Sequence, residues 1–322
     1  MGLHKKAYYN LLRFDHLEGK KSHSANWQVE NLQDLSLEDL FKKINRLGIE
    51  INSEAFISLA KNLASPEEMI EKLSQNLKNN KKEDELYLSV FEVWKKLFPE
   101  KVSLSVFCDD VDNSFFAYDK NILESDEKVQ SLLANLEVLL DENVDEGLDP
   151  TDAFEALTKY CACDVGCFLY NYIFEQIDSD NKSYALELLE GFYPYVKKNR
   201  WFSILCIELC DDPCQINNLI NGLIENFRFV PDIDLGLEVL KVMIAKASQN
   251  QFLSLVSLLL NQKLEKEHLI ELISSSCDFF RMKDKEKEEK SLNVLLHRIS
   301  IAHPNARRNV IVKELSSFIQ SI

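Results

Sequence analysis

The sequence predicts an all-α protein: an irregular array of antiparallel helical hairpins, either solenoid-like or a multi-helix bundle. Three observations carry this prediction. The 322 residues include only 8 Gly and 7 Pro, the residues that supply the backbone angles of turns, hairpins and phosphate-binding loops. Apolar residues recur at three and four, the spacing of one helix face, and period-two alternation beyond four residues is absent. The periodic stretches are joined by connectors of about two to six residues, the length that places consecutive helices side by side.

Residues 1–30 read as a flexible basic arm, with Lys5, Lys6, Arg13, Lys20 and Lys21 against few acids. Trp27 introduces the folded part. Ser36-Leu37-Glu38-Asp39 is a capping box, in which the Ser oxygen and the acid three residues on satisfy free amide donors; Gly48 stops that helix. Ser53-Glu54 opens the next helix. Ser65-Pro66-Glu67-Glu68 opens another, with Pro in the first helical position and acids at the positive end of the dipole. Lys78 to Lys82 reads as an exposed connector, followed by a helix over 85–97 that Pro99 ends. One more helix is expected within 102–122.

From 126 onward the set Leu132, Leu133, Leu136, Leu139, Leu140 marks a helix face. Pro150 starts a helix to Tyr160. Further helices are expected over 164–177, 183–195, 201–209, 215–227, 232–246, 252–260, 266–280, 288–301 and 305–319. Helix pairs recur about every 35–45 residues without a repeating consensus. The domain organisation expected is the arm, a helical subdomain over 31–122 and a second over 123–322, with softer joints near 78–84 or 122–126.

The net charge of −16, from 53 acids and 37 bases, opposes nucleic acid and anionic membranes. The most apolar run, Phe252 to Leu260, is too short to span a bilayer, which needs about 20 residues. Residues 1–15 have no uninterrupted apolar stretch of a secretory signal. Together these features predict a cytoplasmic protein, with export lacking a cleavable signal left open. The bias toward Lys, Asn and Ile over Arg, Gly and Pro is the coding bias of AT-rich genomes, frequent among host-associated bacteria.

Candidate chemistry is sparse. The acidic stretch 141–152 joins two predicted helices, and an EF-hand count from its first residue places Asp141, Asn143, Asp145, Asp149 and Asp152 at ligand positions. The pattern departs at position six, where Glu146 stands for Gly, and at position twelve, where Asp152 stands for Glu. Cys161, Cys163 and Cys167 begin one helix and Cys206, Cys210 and Cys214 lie near another; thiolates at helical spacing are zinc-like, but small buried core residues have the same look. Cys277 could pair with His268 or His297 as a nucleophile and base, with no motif behind the pairing. Paired carboxylates such as Asp109 and Asp110 are too common in an acidic chain to mark a general acid and base. No phosphate-binding glycine motif occurs, and no cofactor is expected.

The aromatic-basic cluster Tyr193, Tyr195, Lys197, Lys198, Arg200, Trp201 and Phe202 combines the residue types of interface hot spots. The same residues serve equally to pack one helical hairpin on the next. The function expected is that of a non-enzymatic α-helical scaffold, adaptor or regulator whose partner is another protein; the composition adds an effector or secretion-related role in a host-associated bacterium. The alternatives are a calcium- or zinc-responsive helical module and a cysteine-dependent enzyme.

Overall fold

The computed structural model describes residues 3–20, 24–75, 77, 79–123, 125–301 and 308–322. Among these are 18 α-helices and no strand, so the chain is all-α. No helix among the described residues is long and apolar enough to cross a membrane. The expectations resting on Lys21 and Lys78, and the first three residues of the helix expected over 305–319, lie outside the described residues.

The chain forms two compact units, Met1–Leu169 and Tyr170–Ile322. The first holds α1 (Leu3–Leu17), α2 (Asn26–Val29), a 3-10 turn at Leu32–Asp34, α3 (Leu37–Arg46), α4 (Ser53–Ala60), α5 (Pro66–Ser74), α6 (Asn80–Leu97), α7 (Leu104–Asp119), α8 (Glu127–Asp145) and α9 (Pro150–Thr158). The division falls inside α10 (Val165–Asp178), not at the expected 122–123. Aromatic packing explains the difference: Phe115 of α7 stacks on Phe168 of α10 with ring centroids 3.6 Å apart. Val129, Leu133, Leu136 and Leu140 of α8 and Ala153 of α9 are buried as well.

Local chemistry starts these helices much as the sequence predicts. Ser36 Oγ accepts the Asp39 amide at 3.1 Å, and Asp149 Oδ1 accepts the Thr151 amide at 3.0 Å. The 53–60 helix is capped one residue earlier than expected, by Asn52, whose Oδ1 accepts the Ala55 amide. Of the connector expected over 78–82, the last three residues are helix: Asn79 caps α6, which begins at Asn80. Tyr87, Phe91 and Trp94 of α6 then anchor a core shared with Leu40, Ile44, Phe56 and Met69. Each large side chain buried this way contributes about 1.5–3 kcal/mol.

The expected flexible arm is the main departure. Residues 3–17 are helix α1, which packs on α7 and places Tyr9 and Phe14 in the interior. Phe14 stacks on Phe116 at 4.3 Å. Of the basic residues that suggested a solvated arm, Lys5, Lys6 and Arg13 lie on this docked helix, and Lys6 meets the buried acids Glu92 and Asp109.

The second unit holds α11 (Lys182–Val196), α12 (Phe202–Leu209), α13 (Pro213–Phe229), α14 (Ile233–Lys246), α15 (Gln249–Leu260), α16 (Lys266–Met282), α17 (Glu286–Ile301) and α18 (Arg308–Gln320). Pro194 lies inside α11, which continues to Val196. At the centre is α14, buried on nearly all sides through Leu235, Leu237, Val239, Leu240, Val242 and Met243. Gly236 makes this possible: a Cβ there would stand 2.5 Å from Phe227 and 2.7 Å from Leu259. Phe252 of α15 stacks on Phe279 of α16 at 4.0 Å.

Both units use a lysine to cap a helix C-terminus from another element. Lys101 Nζ donates to the carbonyls of Ala60, Lys61 and Leu63 beyond α4. Lys246 Nζ donates to those of Ile207, Glu208 and Cys210 at the end of α12. The last carbonyls of a helix have no intrahelical partner and carry the negative end of its dipole, so an ammonium there is doubly favourable.

Candidate functional site

The densest polar chemistry lies inside the first unit, where α1, α6 and α7 meet. Lys6, Asn10 and Arg13 follow one face of α1 at i, i+4 and i+7. Glu92 and Lys95 come from α6, and Asp109, Asp112 and Asn113 from α7. Lys6 Nζ lies 3.2 Å from Glu92 and 3.1 Å from Asp109. Lys95 pairs with the other oxygen of Asp109 and, at 2.8 Å, with Asp110. Asn10 Nδ2 donates to Asp109 and to Asp112, each at 3.0 Å. Arg13 donates to Asn113 and to Asn31. Lys6, Asn10, Glu92, Asp109 and Asp112 are all buried.

Two carboxylates of this centre are driven in opposite directions. Burial pushes Asp109 upward, but Lys6 and Lys95, with the hydrogen bonds from Lys95 and Asn10, outweigh it and hold the acid well below the usual carboxylate range. Among the described residues no cation pairs with Asp112. Burial raises it to about 6, against the lowering pull of Asn10 and the Cys163 and Ala162 amides. Its Oδ1 accepts those two amides at 3.1 and 2.7 Å and so ties the loop before α10 to α7.

This centre is closed. Glu92 and Asp109 are engaged with Lys6 and Lys95, Asp112 with amide donors, and the cavity beside Lys6, Asn10, Arg13 and Glu92 is about 20 Å³, room for about one water. The centre's contacts join α1, α6 and α7. Sequence reasoning misses it because the composition of residues 1–30 places Lys6 in an arm and the Asp109-Asp110 pair is too common a pattern in an acidic chain to stand out. The signal was there in the matching periods, i, i+4, i+7 on α1 and i, i+3, i+4 on α7.

The residues singled out from sequence are placed as follows. Asp141, Asn143 and Asp145 lie on α8, which runs through Asp145, so the expected twelve-residue loop is largely helix. Asn143 Nδ2 donates back to the Leu139 carbonyl, and Asp149 caps α9. Among the described residues no three His, Cys, Asp or Glu side chains form a group able to hold an ion. Cys161 meets Cys108 of α7 and Cys163; these thiol hydrogen bonds, with burial, push its thiol far up. Burial raises Cys206 and Cys277 to about 11, the opposite of an activated nucleophile. His268 sits in the first turn of α16, its Nδ1 accepting the Glu265 amide, about 14 Å along the helix from Cys277 at 1.5 Å per residue. His297 is exposed on α17.

The aromatic-basic cluster does not form one exposed face. Tyr195 and Phe202 are buried, and Trp201 is half-buried, edge-on to Tyr170 at 5.7 Å. Arg200 donates to the Val230 carbonyl at 2.6 Å and pairs with Asp232. Tyr193, Lys197 and Lys198 reach the surface.

An open groove lies elsewhere in the second unit, between α14 and α16. It encloses about 470 Å³, within the range of about 300–1,000 Å³ of ligand pockets. Half-buried Ile244 and Ile270 and the small Ser274 and Ser275 line it, and Glu267, Glu271, Asp278 and Lys241 complete the wall. The α16 members recur at i, i+3, i+4, i+7, the stripe by which a helix receives another element. No protein-family model, no curated protein and no solved structure matches the chain.

Proposed function

We propose that the chain is a non-enzymatic α-helical interaction protein, a scaffold, adaptor or regulator, that receives a partner protein in the groove between α14 and α16. The observation that carries the reading is the groove itself: an open cavity with an apolar floor and small side chains. A concave apolar floor with a few polar groups on its wall is the usual make-up of a binding site. The buried ionic centre supports the non-enzymatic part, since its charged groups are consumed by one another. The raised thiols of Cys161, Cys206 and Cys277 speak against cysteine chemistry.

The test is site-directed photo-cross-linking of the full chain in the cells that make it, with the cross-linker at Ser274 and a control at exposed Ser321. The expected result is one protein joined through Ser274 and not through Ser321. A catalytic activity that survives purification of the lone chain, with no cross-link at Ser274, would overturn the proposal.

A further inference from the structure

We infer that the occupant of the α14–α16 groove is a basic amphipathic helix of a partner protein: an apolar ridge seated on Ile244, Ile270 and Ser274, with lysines or arginines on its flanks. The inference rests on the docking role proposed for this groove and adds the chemistry of the partner.

Charge around the groove argues for it. At one end Lys241 of α14 bridges two acids, Glu238 of its own helix and Glu271 of α16, each at 2.7 Å. At the other end Arg281 is shared by Asp278 and Glu289, each at 2.8 Å. In both places one cation serves two carboxylates, so each cluster keeps one negative charge. Glu267, exposed on the wall, adds a third. The floor between them is neutral. An apolar floor between acidic ends accepts an apolar ridge with cationic flanks and repels an acidic one. The net charge of −16 steers the same class of partner toward the chain.

The shape of the floor selects a helix. Ser274 and Ser275 lack long side chains, so a rod can approach α16 closely, and the wall repeats with the helical period of α16. This is the helix-in-groove mode, in which anchors at i, i+3, i+4 and i+7 enter the cleft.

The probe is a synthetic helical peptide of about 18 residues, five turns, with leucines on one face and lysines on the flanks. Two controls accompany it: the same leucines with glutamates on the flanks, and the lysine peptide with its leucines scrambled around the helix. Binding to the full chain is read by fluorescence anisotropy. The lysine peptide is expected to bind at least about tenfold more tightly than either control, and to weaken as salt screens the flanks. Ser274→Arg, which fills the neutral floor and adds a positive charge to it, and Glu267→Lys at an exposed position should each weaken it. Unchanged melting temperatures certify that both variants fold.

Equal binding of the three peptides, or indifference to both variants, would overturn the inference. So would a concentration-dependent dimer of the chain that Glu267→Lys dissolves, since the occupant would then be a second copy. A partner cross-linked through Ser274 that lacks a basic amphipathic helix would overturn the partner chemistry and leave the docking role standing. Failure of both the peptides and the Ser274 cross-link would overturn the two together.

Discussion

The Lys6 ammonium lies 3.1 Å from the Asp109 carboxylate, joining α1 to α7 in the interior of the first unit. Removing one partner of a buried pair leaves the other charge in a medium that solvates it poorly. Lys6→Met is therefore expected to destabilise the protein by about 3–5 kcal/mol, because Glu92 and Asp109 both lose their contact. Adding Glu92→Gln should recover part of that loss. Urea denaturation of the two single variants and the double variant measures the coupling. Strictly additive effects would mean that Lys6 and Glu92 do not act as a pair.

Asp112 gives the protein an unusual acid response. Its folded-state value of about 6 lies above the unfolded value near 3.9, so between these the native state binds the extra proton. Its contribution to stability therefore rises as pH falls from about 6 to about 4, by about 3 kcal/mol. Asp109 has the opposite sign: its folded-state value is depressed, so its contribution is present above the unfolded value and lost as pH falls below it. The stability difference between wild type and Asp112→Asn should grow in favour of wild type from pH 7 to 4. A difference constant across that window would refute the assignment.

Gly236 is a packing requirement of α14. In an isolated helix Gly→Ala stabilises by about 1 kcal/mol. Here the new methyl would stand 2.5 Å from Phe227 and 2.7 Å from Leu259, both buried and closely surrounded. Overpacking of this kind costs about 1–3 kcal/mol, so the helix-propensity gain is cancelled or exceeded. Thermal unfolding of Gly236→Ala is expected at a temperature no higher than wild type. A rise would show that the two side chains can move aside.

Lys246 should matter more than a surface lysine. Lys246→Met keeps most of the aliphatic stem and removes the donor to three carbonyls at the end of α12. Leaving half-buried acceptors without it is expected to cost about 1–3 kcal/mol, and hydrogen exchange should quicken first in α12. Lys197→Met, at an exposed position, is the control.

Thiol labelling checks the burial pattern across both units. Of the eight cysteines, Cys167 and Cys214 are exposed, and Cys108 and Cys277 are buried. Native protein should react promptly with a disulfide reagent at Cys167 and Cys214, and at Cys108 and Cys277 only on unfolding. Rapid native labelling of Cys277 would reopen a role for it in catalysis.

Helix positions were largely readable because their determinants are local. Ser36 meets Asp39, Ser65 meets Glu68 and Asp149 meets Thr151 within three residues, and leucines at 132, 133, 136 and 140 share a face by simple period. The groove was not readable. Ile270 and Ser274 look like any amphipathic positions until α14 and α16 lie side by side. The 141–152 stretch misled for a related reason: a spacing of acids that fits a loop fits a helix as well, and α8 continues through it.

The basic arm marks where local reasoning ends. Sequence alone determined the all-α class, most helices, their caps and the acidic balance, because a helix depends on backbone preferences and contacts three or four residues away. Tertiary structure decided that Lys6 is an interior cation, that Asp109 and Asp112 titrate in opposite directions, and that an acidic-walled groove opens on α16. These outcomes depend on groups up to 103 residues apart in the first unit, Lys6 and Asp109, or on neighbouring helices in the second. A charge acquires its meaning from its dielectric surroundings and its partner, and chain spacing specifies neither.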